Sequence, residues 1–280
     1  MPPPGSPAEH PRKTLAALGL APRKHLGQNF LHDKNVVRKI VDLARAFPPP
    51  YLEIGPGLGA LTGPLAGSGV PVLAVEVDRG LAAHLRERFA GTSVEILEAD
   101  FLAVTAQEWR RRFPRGGTVV GNLPYSISSP VVLRLIELRG LFPRAVLMLQ
   151  REMAERLLAV PGGKEYGILS VYLSVLAEAR REFAVARGCF HPAPDVDSTV
   201  VTVRFFGDFP DPLVDALRVV VRAAFAHRRK TLRNAPVPFL PGGAGEWCGL
   251  LTDAGIDPSC RAETVSPASY LGLARRFARL

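Results

Sequence analysis

Short apolar runs recur along the first half of the chain, each followed by a stretch with helical spacing. The runs at Tyr51–Ile54, Val72–Val75, Val94–Leu97, Thr118–Gly121 and Ala145–Leu149 are mostly continuous rather than alternating. They predict strands buried on both faces. Helices are predicted between and after them, near Ala60–Gly67, Gly80–Phe89, Ala106–Phe113, Ser129–Leu138 and Glu152–Ala159. An earlier helix is predicted after Asp33, whose carboxylate can cap it. Val36, Val37, Ile40, Val41 and Ala44 fall at helical spacing there, and Pro48-Pro49-Pro50 ends the pattern. Such alternation predicts an α/β fold, a Rossmann-like, mostly parallel sheet covered by helices on both faces. Two later strands, near Arg181–Ala184 and Ser198–Phe206, predict a terminal antiparallel hairpin. The second of these is alternating and β-branched.

The pattern changes at Gly207-Asp208-Phe209-Pro210-Asp211-Pro212. Beyond it only helical periodicity appears, at Leu213, Leu217, Val220, Val221, Ala224 and Phe225, and later at Trp247, Leu250 and Leu251. Residues 211–280 therefore read as a small all-α C-terminal domain, with an irregular Pro- and Gly-rich loop over Ala235–Gly245. Residues 23–208 read as the α/β domain. The proline- and polar-rich start predicts a flexible tail over residues 1–22.

Composition narrows the class of partner. The chain has 280 residues, 47% hydrophobic, which suffices for a large domain and a smaller one. Its formal net charge is +9, from 35 basic and 26 acidic residues, and only six of the basic residues are lysine. A surplus of this size suits a polyanion partner, and equally a basic surface that serves only solubility. The three cysteines, Cys189, Cys248 and Cys260, are odd in number and lack Cys-x-x-Cys spacing, which argues against a disulfide framework and a zinc site, so no metal is expected. No apolar run approaches the ~20 residues of a membrane span, and the start lacks the apolar core of a signal peptide. A cytoplasmic protein without a membrane partner is expected.

Two motifs carry chemistry. Glu53-Ile54-Gly55-Pro56-Gly57-Leu58-Gly59 leaves the first buried strand as a glycine-rich turn, which lets backbone approach a nucleotide-like ligand. Alone it also fits nicotinamide or flavin binding. Glu76 ends the second strand, where a carboxylate can accept both ribose hydroxyls. Asp100, at the end of the third, can accept from an adenine amine. This ordered set suits an adenosine ligand without a pyrophosphate, as in S-adenosylmethionine (AdoMet).

The second motif is Asn122-Leu123-Pro124-Tyr125, at the end of the fourth strand. The N6 lone pair of adenine is delocalised into the ring and is a poor nucleophile. The Asn122 side-chain oxygen and the Leu123 carbonyl can accept the two N6–H bonds and stabilise the positive charge that develops on nitrogen. Pro124 stiffens the turn, and Tyr125 can stack on the base. Together the motifs predict methyl transfer from AdoMet to the amine of a base.

These residues resemble the small-subunit (16S) rRNA adenine N6,N6-dimethyltransferases, the KsgA type. The resemblance runs from about Arg23 to the C-terminus. It includes Lys24-His25-Leu26-Gly27-Gln28-Asn29-Phe30-Leu31, the glycine turn, Val75-Glu76-Val77-Asp78 and Asn122–Ser128. It continues through Tyr166-Gly167-Ile168-Leu169-Ser170, Phe190-His191-Pro192-Ala193-Pro194 and Arg228–Asn234. It implies AdoMet contacts at Asn29, Leu31, Gly55, Glu76, Asp100 and Asn122, and a Phe190 ring opposite Tyr125 on the target base. It implies dimethylation of two adjacent adenosines near the 3′ end of small-subunit rRNA within an assembling 30S particle, as part of ribosome biogenesis. Two positions depart from the family pattern. Asp195 stands where the family usually has lysine, which lowers the positive charge beside the base pocket. Pro236 and Pro238 interrupt the helix that usually follows Asn234.

The densest cationic run, His227–Arg233, makes Arg228, Arg229, Lys230 and Arg233 candidate phosphate contacts. Cations favouring a helix C-terminus are the competing reading. Arg110, Arg111 and Arg112 read as a solvated helix face. Alternative functions are a large-subunit rRNA adenine methylase of the antibiotic-resistance type and a non-catalytic RNA-binding assembly factor. Phe190–Pro194 and the C-terminal run favour the small-subunit enzyme over the first, and the intact Asn122–Tyr125 turn speaks against the second.

Overall fold

The computed structural model describes residues 10–23, 26–67, 69–207, 209–227 and 229–279. Lys24, His25 and Arg228, named above, lie outside the described residues, as do residues 1–9 of the expected tail. The chain divides into two compact units. One runs up to Ala154 and resumes over Arg180–Phe205; the other takes Glu155–Ala179 and everything from Phe206 onward.

The first unit begins with α1 (Pro11–Ala17), β1 (Phe30–Leu31) and α2 (Lys34–Arg45). It continues through β2 (Tyr51–Ile54), α3 (Thr62–Ala66), β3 (Val72–Glu76), α4 (Arg79–Arg88), β4 (Val94–Glu98) and α5 (Ala106–Arg112). Then come β5 (Thr118–Asn122), α6 (Ser128–Glu137), β6 (Arg144–Gln150) and α7 (Arg151–Leu157), the last leading into the second unit. After α8 (Ile168–Leu176) the chain returns through β7 (Ala177–Val185), β8 (Phe190–His191) and β9 (Ser198–Phe205). The sheet order is β4-β3-β2-β5-β6-β9-β7. The first five strands in that order pair in parallel, and β9 runs antiparallel to β6. Each strand predicted from the apolar runs is present. The late pair lies at one edge, with β9 set between β6 and β7.

Packing explains why these runs became strands. Ile40, Val41 and Ala44 of α2 bury against Tyr51, Val72, Val120, Val146 and Met148 of the sheet. Each such side chain contributes roughly 1.5–3 kcal/mol on burial. Phe101, Trp109, Phe113 and Phe142 form a separate aromatic group, with ring centroids 5.0–6.3 Å apart. As its sequence predicted, α2 is capped by Asp33, whose Oδ1 accepts from the N–H groups of Asn35 and Val36, both at 2.9 Å. A small two-stranded sheet pairs β1 with β8, so that Leu31 lies opposite Phe190.

The start of the chain differs from the expected tail. Residues Pro11–Ala17 form α1, with proline at its first turn. Leu15 is buried with Phe30, Leu58 and Leu81, and Leu18 and Leu20 pack alongside. A seven-residue helix offers too few apolar positions for its period to be counted, so tertiary packing decides it.

The second unit also differs from the expected boundary. Besides α9 (Asp211–Phe225), α10 (Gly243–Asp253) and α11 (Pro267–Phe277) it contains α8. Helix α8 packs on α9 and α11, and Tyr172 Oη donates to the Arg218 carbonyl at 3.3 Å. Its sequence, Ile-Leu-Ser-Val-Tyr-Leu-Ser-Val-Leu, is so uniformly apolar that it shows little helical period. Nearby, Tyr166 Oη donates to the Val265 carbonyl at 3.0 Å, and Trp247 Nε1 to the Leu232 carbonyl at 2.9 Å. The expected loop is irregular only as far as Gly242, where α10 takes over. Among the described residues no helix is long and apolar enough to cross a membrane.

Because α1 is packed rather than loose, Leu15→Ala is expected to lower unfolding stability by about 2 kcal/mol, the low end for a buried leucine. Urea titration followed by circular dichroism checks this; an unchanged midpoint would mean that α1 contributes nothing to the fold.

Candidate active site

The site forms where the strand order reverses. From β2 the chain moves outward through β3 to β4, then returns to place β5 on the other side of β2. Open α/β sheets have a crevice at the carboxyl ends of their strands at such a point. Register decides what lines it. Glu53 of β2 lies beside Ala74 of β3 and Val120 of β5. Side chains alternate along a strand, so Glu53, Glu76 and Asn122 share one face at that end.

A cavity of about 210 Å³ occupies this crevice. Its lining includes every position expected to hold cofactor or base: Asn29, Leu31, Gly55, Glu76, Asp100, Leu123, Pro124, Tyr125, Phe190 and Asn122 itself. Gly55 and Gly57 have φ of +67° and +59°, conformations that favour glycine. At Gly57 an added Cβ would also lie 3.0 Å from the Phe30 ring.

Glu76 is buried, and its two oxygens are spoken for separately. Oε2 accepts from the Gly57 N–H at 3.0 Å, tying strand end to glycine turn, and Oε1 accepts from the Asp78 N–H at 2.9 Å. Burial pushes its carboxyl above the ordinary range, and these backbone bonds work against that rise. Each oxygen retains lone-pair capacity toward the cavity. Asp100 is exposed, and its Oδ1 accepts from the Leu102 N–H at 2.9 Å.

Asn122 is aimed by its neighbours. Its Nδ2 donates to the Asn29 carbonyl at 3.1 Å, and Asn29 Nδ2 donates to the Gly27 carbonyl at 3.1 Å. With the amide NH2 fixed in this way, Oδ1 is the group left to accept from a ligand. The Leu123 N–H donates to the Met148 carbonyl at 3.1 Å, anchoring the turn to β6. Tyr125 is half-buried; burial, with Asp195 and Asp197 nearby, holds its phenol above the usual value. Asp195, the departure noted in the sequence, is thus felt at the Tyr125 ring.

Three residues quoted within the motifs were given no role of their own by sequence reasoning. Glu53 is 2% exposed, its Oε2 has no partner, and burial raises its pKa to about 8, with Glu76 adding to the rise. Its signal was a lone carboxylate inside an apolar strand. Asp78 is buried and caps α4 through the Gly80 and Leu81 N–H groups. Its other oxygen takes Arg23 Nε at 3.1 Å and Gln28 Nε2 at 3.2 Å, fastening the segment before β1 beside Glu76. Gln28 carries no sequence signal of that role.

The cationic candidates lie elsewhere. Arg229, Lys230 and Arg233 are exposed, belong to the second unit and do not line the cavity. On α5, Arg111 and Arg112 pair with Glu108 at 2.8 and 2.7 Å, and Arg112 also with Glu95.

Residues 19–279 match the model of a family described as ribosomal RNA adenine dimethylase. The chain belongs to the ribosomal RNA adenine dimethylase family. Similar curated relatives include the ribosomal RNA small subunit methyltransferase A of Geobacter sulfurreducens, 44% identical over 92% of this chain and 95% of its own. The protein of that name from Pelotomaculum thermopropionicum is 42% identical over 95% of each chain. Among solved structures, a dimethyladenosine transferase from Plasmodium falciparum superposes with a TM-score of 0.74 at 26% identity, over 89% of this chain and 98% of that one. The 23S rRNA methyltransferase ErmE gives 0.65 at 28% identity, over 89% and 99%. The dimethylase family's methyltransferase sheet and helical C-terminal region are the architecture described above.

Glu53 predicts a pH effect. Its folded pKa of about 8 lies above the ordinary 4.5, so between those values the folded protein holds a proton that the unfolded chain has released. Stability therefore falls as pH rises through this window. Glu53→Gln removes the titration. Its melting temperature should be close to that of the native protein at pH 5 and clearly higher at pH 8.5, the gain being on the order of a few kcal/mol. Calorimetric scans across pH test this, and a gain that does not depend on pH would contradict it.

Proposed function

We propose that the cavity holds AdoMet and that the enzyme methylates N6 of two adjacent adenosines near the 3′ end of small-subunit rRNA, giving dimethyladenosines in an assembling 30S particle in the cytoplasm. One observation carries the reading: the Asn122–Tyr125 turn, the glycine turn and two buried carboxyls open on the same cavity. The residues fit the cofactor. Glu53 and Glu76 are buried acids that disfavour each other's ionisation, and a ligand with sulfonium and ammonium charges relieves that conflict. When bound, AdoMet supplies an electrophilic methyl group.

The chain's own residues do the rest. Glu76 accepts the ribose hydroxyls and Asp100 the adenine amine of the cofactor, while Asn29, Leu31 and Gly55 form the wall. Asn122 Oδ1 and the Leu123 carbonyl accept the two hydrogens of the target N6. That draws the amine toward tetrahedral geometry, and the fixed dipoles stabilise the charge developing on nitrogen. Pro124 keeps the carbonyl in place, and Tyr125 and Phe190 sandwich the base. The product ammonium loses its extra proton to solvent, so no strong general base is required.

The curated relatives named for the small subunit support that substrate, as does the Phe190–Pro194 segment, whose Phe190 lines the cavity. The likeness to ErmE keeps the large-subunit alternative in the test. Arg228, Arg229, Lys230 and Arg233 are proposed to contact rRNA phosphates.

Incubation with labelled AdoMet and undermethylated small subunits, followed by nucleoside analysis, should yield N6,N6-dimethyladenosine. In a parallel incubation supplied with large-subunit RNA, label entering that RNA and not the small subunits would favour the alternative. Asn122→Ala should cut the rate by about 10²–10³, as for removal of one transition-state dipole, and leave the melting curve intact; near-normal turnover would remove Asn122 from the chemistry. For the cationic run, the double change Arg229→Ala and Lys230→Ala should flatten the salt dependence of subunit binding by up to about 2 in log–log slope, with AdoMet affinity unchanged. A native slope would reduce the run to a surface feature.

A further inference from the structure

A second cavity, of about 460 Å³, lies between α2, the glycine turn and α3. Lys34, Arg38, Arg45 and Arg88 line it with His32, and Asp42 is the one acid in the wall. The whole chain has 35 basic to 26 acidic residues, so a ratio of four to one here is a concentration of charge beyond the general surplus. Arg45 Nη2 donates to the Pro64 carbonyl at 2.8 Å, and Arg88 Nη1 to the Leu58 carbonyl at 2.5 Å. These bonds hold two guanidinium groups in place while leaving further N–H donors on each. Lys34 and Arg38 sit one turn apart on α2, both exposed, and neither forms an ion pair among the described residues. Arg38 does not pair even with Asp42 one turn further on.

The wall has no aromatic ring that stacks a base beyond His32; its apolar part is Val37, Val41, Ala60 and Pro64. The chemistry it fits is therefore a phosphate rather than a nucleobase. Leu31 and Ala60 line both this cavity and the one that holds Asn122. Leu31 is also the partner of Phe190 across the β1–β8 pair.

We infer that this groove binds the phosphodiester backbone of the substrate RNA, next to the nucleotide whose base enters the Tyr125–Phe190 pocket. The inference rests on the proposed methylation of rRNA and adds a contact surface on the methyltransferase unit itself. Base contacts in the first cavity select adenine; phosphate contacts in the groove set where the strand lies.

The test uses the full chain with Lys34→Gln and Arg38→Gln together, and undermethylated small subunits as ligand. Binding is measured at several chloride concentrations, and AdoMet affinity by calorimetry. The expected result is a log–log salt slope lower by about one to two, a raised KM for subunits and unchanged AdoMet affinity. A native slope with a native KM overturns the inference. If the double variant loses AdoMet affinity, the single Arg38→Gln variant is used, with an expected slope change of up to about one. Inorganic phosphate distinguishes the other source of the same chemistry. If phosphate at constant ionic strength stabilises the native protein but not the double variant, while the RNA slope stays native, the groove is a small-anion site and the RNA assignment fails. Native enzyme that methylates subunits while the variants keep its slope defeats this inference alone. Native enzyme that neither binds nor methylates them defeats the functional reading beneath it.

Discussion

The position of β2 between β3 and β5 is the constraint on which the rest depends. Parallel neighbours that leave a strand in opposite directions cannot both cover its carboxyl end, so a crevice must remain there. In-register pairing then sets Glu53, Glu76 and Asn122 on one face of that crevice. A one-residue slip of any of the three strands would turn its polar group into the opposite layer. The apolar side chains below, Tyr51, Val72, Val120 and Val146, are what hold that register.

Electrostatics make the crevice more than a gap. A buried carboxylate is costly unless donors meet it. For Glu76 they are backbone N–H groups of the glycine turn and of Asp78, and Asp78 is itself held by Arg23 and Gln28. The chain from α1 to β1 is thus joined to the cavity by polar contacts at one point and by Leu15 on Phe30, Leu58 and Leu81 at another. Glu53 has no such set of donors, and its raised pKa records the deficit.

The basic surplus is not spread evenly. On α5 the arginines are matched by Glu108 and Glu95 and serve the surface of the fold. In the second cavity four cations face a single acid, and Arg229, Lys230 and Arg233 are exposed.

What the sequence by itself determined was everything carried by local pattern. Continuous apolar runs specified the parallel strands, Asp33 specified a helix start, and the motifs around Gly55 and Asn122 specified the two turns that line the cavity. These were legible because their meaning lies in consecutive residues: a strand buried on both faces has to be apolar throughout, and a turn has to carry its own glycine or proline. What tertiary structure alone decided was whatever depends on distant partners. Helix α8 lacks a polar face, so only its packing on α9 and α11 assigns Glu155–Ala179 to the helical unit. Helix α1 is too short to stand without Leu15 finding its cluster. Asn122 is aimed by the carbonyl of Asn29, and the Lys34–Arg38 groove is completed by Arg88, which reaches it from another helix. Such juxtapositions are set by chain crossovers and register, and no window of consecutive residues contains them.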